Sequence, residues 1–521
     1  MKRFLKKGMV ITCAFAIVMS GCGKQDGQGQ PEKESIVATE NTEGAAKGSK
    51  VFADTTVISL SDDMITVDGS EISIDENSAV YAANDIVFYL ERQDFTYGEG
   101  EDADEHSQAE ADAHTVVHIT EPGTYEVSGT LSAGQIAVDL GEDAEENPEA
   151  VVTLILNGVD IQCEVAPAII FYHVYECGVA DAENATNTVD TTDAGANVLI
   201  VDGSVNNVTG SYVARIYKPD TVELNEDGTE VADAKKLHKY DAAFYSKMSM
   251  NVNGDKEGTG VLNIYAENEG LDSELHLTIN GGIINITSGN DGINTNEDGV
   301  SVTTVNGGNL SIKVMGTTGE GDGIDSNGWL VINGGTVLAQ ACAFSADAGI
   351  DSDMGIHING GTVIATGNML DRISESEQNY AVFQFASSQK EANYTLKNEA
   401  GEVVIACTPE NAFTYLIFSS ADMTTGTYTM WMGDTQLAGS ASKSQGGFGG
   451  AVMPGNFGGE KPEGMEKPEG GFNGEPPADM ERPEGGRGGF GGRGGATSAE
   501  ASIEFVMEDG GNYFNNVTVM E

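Results

Sequence analysis

NEGLDSELHLTINGGIINIT (268–287), GDGIDSNGWLVINGGTVLAQ (321–340) and DAGIDSDMGIHINGGTVIAT (347–366) are copies of one unit, and a fourth copy lies between the first two. Each carries a Gly-apolar-Asp/Asn corner: Gly270-Leu271-Asp272, Gly292-Ile293-Asn294, Gly323-Ile324-Asp325 and Gly349-Ile350-Asp351. Asn-Gly-Gly turns follow at Asn280, Asn306, Asn333 and Asn359, ten residues after the corner glycine in three copies, with four extra residues in the second. A fixed period of about 26 residues marks stacked repeats, in which equivalent side chains form columns.

Aligning the copies on the turn stacks Leu277, Thr303, Leu330 and Ile356, then Ile279, Val305, Ile332 and Ile358. Beyond the turn come Ile284, Leu310, Val337 and Val363, then Ile286, Ile312, Ala339 and Ala365. Neighbouring columns are two residues apart except across the turn, which is the period of a strand with one face inward. Asn285, Ser311, Thr287, Lys313 and Gln340 then point outward. Like residues in register along an axis predict an all-β chain built on a parallel β-helix over residues 51–379. Strand-like segments at Thr115 to Thr120, Gly123 to Gly129, Ile136 to Leu140 and Val151 to Leu156 extend it toward the N-terminus. Residues 380–443 predict a small β capping domain over the open end of the stack. Residues 444–497 are Gly-, Pro- and Glu-rich and cannot bury enough surface to fold. A terminal strand pair is expected within 498–521.

The first 22 residues read as a secretory signal, with Lys2, Arg3, Lys6 and Lys7 before an apolar run too short to span a bilayer. It ends in Met19-Ser20-Gly21-Cys22, similar to a bacterial lipobox, which makes Cys22 the expected lipidation site. Residues 23–50 follow as a polar tether. An extracellular protein anchored to the cell membrane by lipid is therefore expected. Cys163, Cys177, Cys342 and Cys407 remain, too few and too widely spaced for a disulfide scaffold. The spacing admits a Cys163 to Cys177 bridge, but buried thiols on strands are the expected state.

Against 26 Lys and Arg stand 82 Asp and Glu, a formal charge of −56 that excludes nucleic acid or an anionic membrane surface as a direct partner. Divalent cations are the natural complement. The corner column runs Asp272, Asn294, Asp325, Asp351, and a flanking column runs Glu269, Asp291, Asp322, Ala348; Asp347, Asp353 and the insert Asn296-Glu297-Asp298 crowd the same edge. Layers of a parallel stack lie about 4.8 Å apart, so carboxylates in a column repel unless a cation offsets them. Calcium, which takes oxygen ligands from carboxylates, amides and carbonyls, fits such an edge. The alternative is that Asp and Asn simply cap turns through the local backbone. The Asn-Gly-Gly asparagines suggest a structural ladder instead.

Catalysis finds little support. Lys313 is the only Lys or Arg between Lys256 and Arg372, and a calcium-dependent pectate lyase would have to use it as base. His276 and His357 lack a nucleophile arrangement. Trp329 precedes the inward Leu330, so its indole faces out, where it could stack on a sugar; Trp431 is a second such position.

These corners and turns, together with TLILNGVDI (153–161) and GGTVIATG (360–367), resemble a clostridial family of secreted carbohydrate-binding domain proteins over about residues 55–435. The resemblance implies a right-handed parallel β-helix with bound calcium that binds cellulose or polygalacturonate without established catalysis. The chain departs from the pattern at Asn294 and Ala348, where acids are expected. The expected function is thus non-catalytic polysaccharide binding by a monomer, with a calcium-dependent lyase and a passive surface spacer as alternatives.

Overall fold

Apolar alternation decides which segments become strands, and the strand registers show what they build. The computed structural model describes residues 55–178, 181–374, 376–442 and 501–519. In it Leu277, Thr303, Leu330 and Ile356 are successive partners in parallel strands, and so are Ile279, Val305, Ile332 and Ile358. This first stack runs through Ala196–Ile200, Met250–Gly254, Leu277–Ile279, Val302–Val305, Trp329–Ile332 and Gly355–Ile358. A second runs through Val205–Gly210, Val261–Ala266, Ile283–Ser288, Asn309–Val314, Thr336–Gln340 and Thr362–Gly367. The third comprises Gly134–Asp139, Ile169–His173, Ala242–Ser246, Glu269–Ser273 and Ile293–Thr295. All three are parallel, and no residue of the four repeat columns is more than 2% exposed. Each buried aliphatic side chain contributes roughly 1.5 to 3 kcal/mol. Among the described residues the α-helix content is one turn, Gln108–Ala111, with Ser107 and Glu110 forming its capping box. The fold is all-β.

The turn asparagines form a ladder. Asn280 Nδ2 donates to Asn253 Oδ1 (3.0 Å), Asn306 to Asn280 (2.9 Å), Asn333 to Asn306 (3.0 Å) and Asn359 to Asn333 (3.0 Å). Asn253, which lacks the second glycine, is a member that the motif does not reveal. Because the ladder is exposed to water, each bond contributes about 1 kcal/mol or less.

The last strand of the second stack, Thr362–Gly367, would leave an open edge. Phe413–Ser420 pairs with it antiparallel, and Tyr380–Gln389, Gly511–Val519 and Thr435–Ser442 continue outward from there. Leu338 and Ile364, on the outer face of the second stack, join a second core with Phe383, Phe418, Phe505 and Phe514. The terminal strands, expected as a pair, take separate places. Phe505–Met507 joins Gly426–Met432, while Gly511–Val519 lies between Tyr380–Gln389 and Thr435–Ser442. The reason is burial, since Phe505, Phe514 and Val517 all complete the second core.

Cys163 and Cys177 are free thiols, so the bridge that the spacing admits is not formed. Burial pushes the Cys163 thiol up to about 12. The expected leader, the tether, Cys22 and the Gly-, Pro- and Glu-rich tract lie outside the described residues.

Candidate metal centre

The corner glycines are required by the closeness of successive layers. A Cβ on Gly270 would sit 2.4 Å from the carbonyl oxygen of Gly292, on Gly292 2.6 Å from that of Gly323, and on Gly323 2.3 Å from that of Gly349. Only glycine permits this stacking. Leu271, Ile293, Ile324 and Ile350 then enter the core with no exposure. The next residue, Asp272, Asn294, Asp325 or Asp351, turns to the opposite face by strand alternation.

One residue further the chain turns inward again, and here the sequence reading missed a column. Ser273, Thr295, Ser326 and Ser352 are all buried. The Ser273 hydroxyl donates to the Met248 carbonyl (3.1 Å), Thr295 to Ser326 Oγ (2.8 Å), Ser326 to the Trp329 carbonyl (3.1 Å) and Ser352 to the Gly328 carbonyl (2.8 Å). These bonds fix the backbone that carries the acids. The signal was present, because a hydroxyl follows the acid or amide in every copy.

The acid column is far more buried than an outward-facing position predicts. Asp272 has no exposure, Glu269 7% and Asn294 8%. Asp322, Asp325 and Asp351 are half-buried, and one carboxylate oxygen from each lies within 4.8 Å of the others. At that distance like charges repel by about 1 to 3 kcal/mol per pair for an effective dielectric between about 80 and 20. Among the described residues none of these carboxylates, nor Glu269, Asp272 or Asp291, has a lysine, arginine or histidine ion pair.

Four of the seven unpaired buried oxygens among the described residues belong to this column and its flank. Glu269 Oε2, Asp272 Oδ2, Asn294 Oδ1 and Asp351 Oδ1 are buried without a hydrogen-bond partner. Such groups ordinarily cost about 1 to 3 kcal/mol each, more when charged, so their alignment calls for a ligand. Three neighbouring oxygens have close donors. Asp322 N–H donates to Asp291 Oδ1 (2.6 Å), Ala348 N–H to Asp322 Oδ1 (2.5 Å) and Asn296 Nδ2 to Asp272 Oδ1 (2.8 Å). Ala348, which replaces an acid of the flanking column, thus still serves the site through its backbone.

Electrostatics follow from this burial. Desolvation, reinforced by neighbouring aspartates, pushes Asp291, Asp325 and Asp351 up to about 7. The same causes hold Glu269, Asp272 and Asp322 well above the usual carboxylate range. The donor set is all oxygen, from carboxylates and one amide, which suits a hard divalent cation rather than zinc.

Not every predicted residue joins this group. Asp347 Oδ2 accepts from Gly321 N–H (2.6 Å) and from the Ser345 hydroxyl, and Asp353 is exposed at the rim. Asp371, absent from the repeat because no Asn-Gly-Gly turn follows it, accepts from Ser352 N–H (3.1 Å) and is raised by burial. Asn296, in the insert that the sequence places on this edge, joins the group through its bond to Asp272. Trp329 is half-buried at the start of its strand, and Lys397 Nζ lies 4.5 Å above the Trp431 ring, covering that indole. Lys313 is engaged in an ion pair with Glu410.

Comparison with solved structures gives a polysaccharide lyase-like protein from C. thermocellum, solved as a gadolinium derivative, at 19% identity and a TM-score of 0.33. The match covers 59% of this chain and 89% of that one. No curated protein matches. The family described as carbohydrate-binding domain-containing protein matches residues 113–229 and 189–435, more than half of the sequence, and the chain belongs to that family.

Proposed function

We propose that this protein binds acidic polysaccharide through calcium ions held on its acid column. The observation that carries the reading is the alignment of four unpartnered buried oxygens with the converging carboxylates of Asp322, Asp325 and Asp351. Asp322, Asp325 and Asp351 would hold one ion, supported by Asp291. Glu269, Asp272 and Asn294 supply oxygens for another. Bound calcium would supply positive charge to a surface that otherwise repels anions. A polyuronate such as polygalacturonate can then approach, with its carboxylates facing the metal.

The three parallel stacks are, in this reading, the faces of a right-handed parallel β-helix whose repeated corner places the acids in line. Lys313, the base that a lyase reading requires, is paired with Glu410. That pairing favours binding without cleavage.

Retention on immobilised polygalacturonate should require calcium, disappear with chelator and fall about tenfold or more in Asp325→Asn. Retention that survives chelation in the folded protein would overturn the bridging role. Export and anchoring through Cys22 belong to the same reading, since cell-wall polysaccharide is met outside the cell. A fatty-acid label should be incorporated into the full chain and lost in Cys22→Ser; equal labelling of both would remove the anchor.

A further inference from the structure

Five layers of the stack carry the same dipeptide at the same turn: Asn253-Gly254, Asn280-Gly281, Asn306-Gly307, Asn333-Gly334 and Asn359-Gly360. Two separate constraints put it there. The ladder requires the asparagine amide, and the closeness of the layers requires the glycine. A Cβ on Gly307 would sit 2.8 Å from the Asn280 carbonyl oxygen, on Gly334 2.5 Å from that of Asn306, and on Gly360 2.4 Å from that of Asn333. The pair is chemically labile. No side chain shields a glycine nitrogen, and its attack on the preceding side-chain amide carbon closes a five-membered ring, so proximity makes the reaction intramolecular. Asn280, Asn306 and Asn333 are exposed to the water that completes it, and Asn359 is partly exposed.

We infer that the asparagine ladder is a site of spontaneous modification, which converts its members to aspartate or isoaspartate in a fixed direction, from Asn359 toward Asn253. The glycine nitrogen gives up its proton and bonds to the asparagine Cγ. The Cγ–Nδ2 bond breaks, and the side-chain nitrogen leaves as ammonia with that proton. Water then adds to either carbonyl of the cyclic imide and opens it, giving aspartate or isoaspartate. Water is the only co-reactant, and nothing is oxidised or reduced.

The direction follows from the polarity of the ladder. Each Nδ2 donates to the Oδ1 of the member before it, so Asn280, Asn306 and Asn333 both give and receive a bond. To react, a side chain must leave these bonds and turn its Cγ onto the glycine nitrogen. Among the described residues no donor reaches Asn359 Oδ1, so this last member is held by its one bond to Asn333. Asn333 is the matched comparison. Both lie in the sequence Ile-Asn-Gly-Gly-Thr-Val, and the Gly334 and Gly360 N–H groups each donate to the preceding layer, to the Val305 and Ile332 carbonyls, at 3.2 Å. In the ladder they differ by a single bond. Once Asn359 becomes a carboxylate it has no N–H to give. Asn333 Oδ1 then loses its donor, and Asn333 becomes the loosened end. The modification thereby advances one layer at a time.

The test incubates the full chain at neutral to mildly alkaline pH and reads each turn by peptide mapping with mass spectrometry. In the folded protein Asn359 should convert about fivefold faster than Asn333, the factor that a lost bond of about 1 kcal/mol gives. In denaturant the two should convert at equal rates, because their flanking sequences are identical. Asn306→Asp should speed conversion of Asn280, which loses its donor, about fivefold. It should leave Asn333 within about twofold, since a carboxylate still accepts the Asn333 N–H. Equal rates at Asn333 and Asn359 in the folded wild type would overturn the inference. So would an Asn306→Asp protein in which Asn280 and Asn333 accelerate alike, the sign of general loosening rather than of a polar ladder. The wild-type comparison stands whether or not the variant folds.

Discussion

Chelation should lower the melting temperature of the folded protein strongly at neutral and alkaline pH, and Asp325→Asn should mimic part of that loss. An ion bound only by the folded state stabilises it by about 2.7 kcal/mol at a hundredfold excess over its dissociation constant and about 4 kcal/mol at a thousandfold. The effect arises because calcium offsets the mutual repulsion of Asp322, Asp325 and Asp351 and occupies oxygens that otherwise have no partner. Thermal melting followed by circular dichroism, with calcium and with chelator, measures it. Identical melting in both conditions would rule out ions on the column. If the alternative of simple turn-capping acids held, Asp325→Asn would be neutral or stabilising with or without calcium.

The second large effect is a pH dependence that calcium reverses. Asp291, Asp325 and Asp351 are raised to about 7, whereas unfolded aspartate titrates near 3.9. Between those values the folded state binds more protons than the unfolded state, so stability falls as pH rises. Without calcium the cost grows from about pH 4 and is complete above about pH 7, at roughly 1 to 2 kcal/mol per carboxylate after allowing for partial exposure. Calcium binds the deprotonated form, so its affinity should increase from pH 6 to pH 8, with proton release on binding. The chelated protein is therefore expected to melt higher at pH 5 than at pH 8, and the increment from calcium to be larger at pH 8. A chelated protein equally stable at both pH values would contradict the burial of these carboxylates.

The stacks were legible because the Asn-Gly-Gly turn fixes the register: the columns built on Leu277, Ile279, Ile284 and Ile286 are the columns that pair. The line of acids was legible for the same reason. Its depth was not. Strand alternation places Asp272 outside the core, and nothing local reveals that it will be fully buried. Part of its surroundings comes from distant sequence. Asp241, paired with Arg215 at 3.1 Å, precedes the corner by a whole layer, and its carbonyl receives the Glu269 N–H. Asp371 escaped because it follows the last complete repeat. The outward face of the second stack was visible as alternating residues. What could not be read was which faces the segment around Thr191 and the C-terminal strands would cover.

The asparagine ladder has a consequence for how such a protein can change over time. Its members are separated by 27, 26, 27 and 26 residues, and each makes the same bond to the member before it. Duplicating or losing the segment between two of them would bring together side chains already matched to one another, with the core columns and the acid corner still in phase. Lengthening or shortening by whole units is thus a small genetic step that preserves the architecture, whereas an insertion of arbitrary length is tolerated only where it loops out, as the four extra residues between Gly292 and Asn306 do.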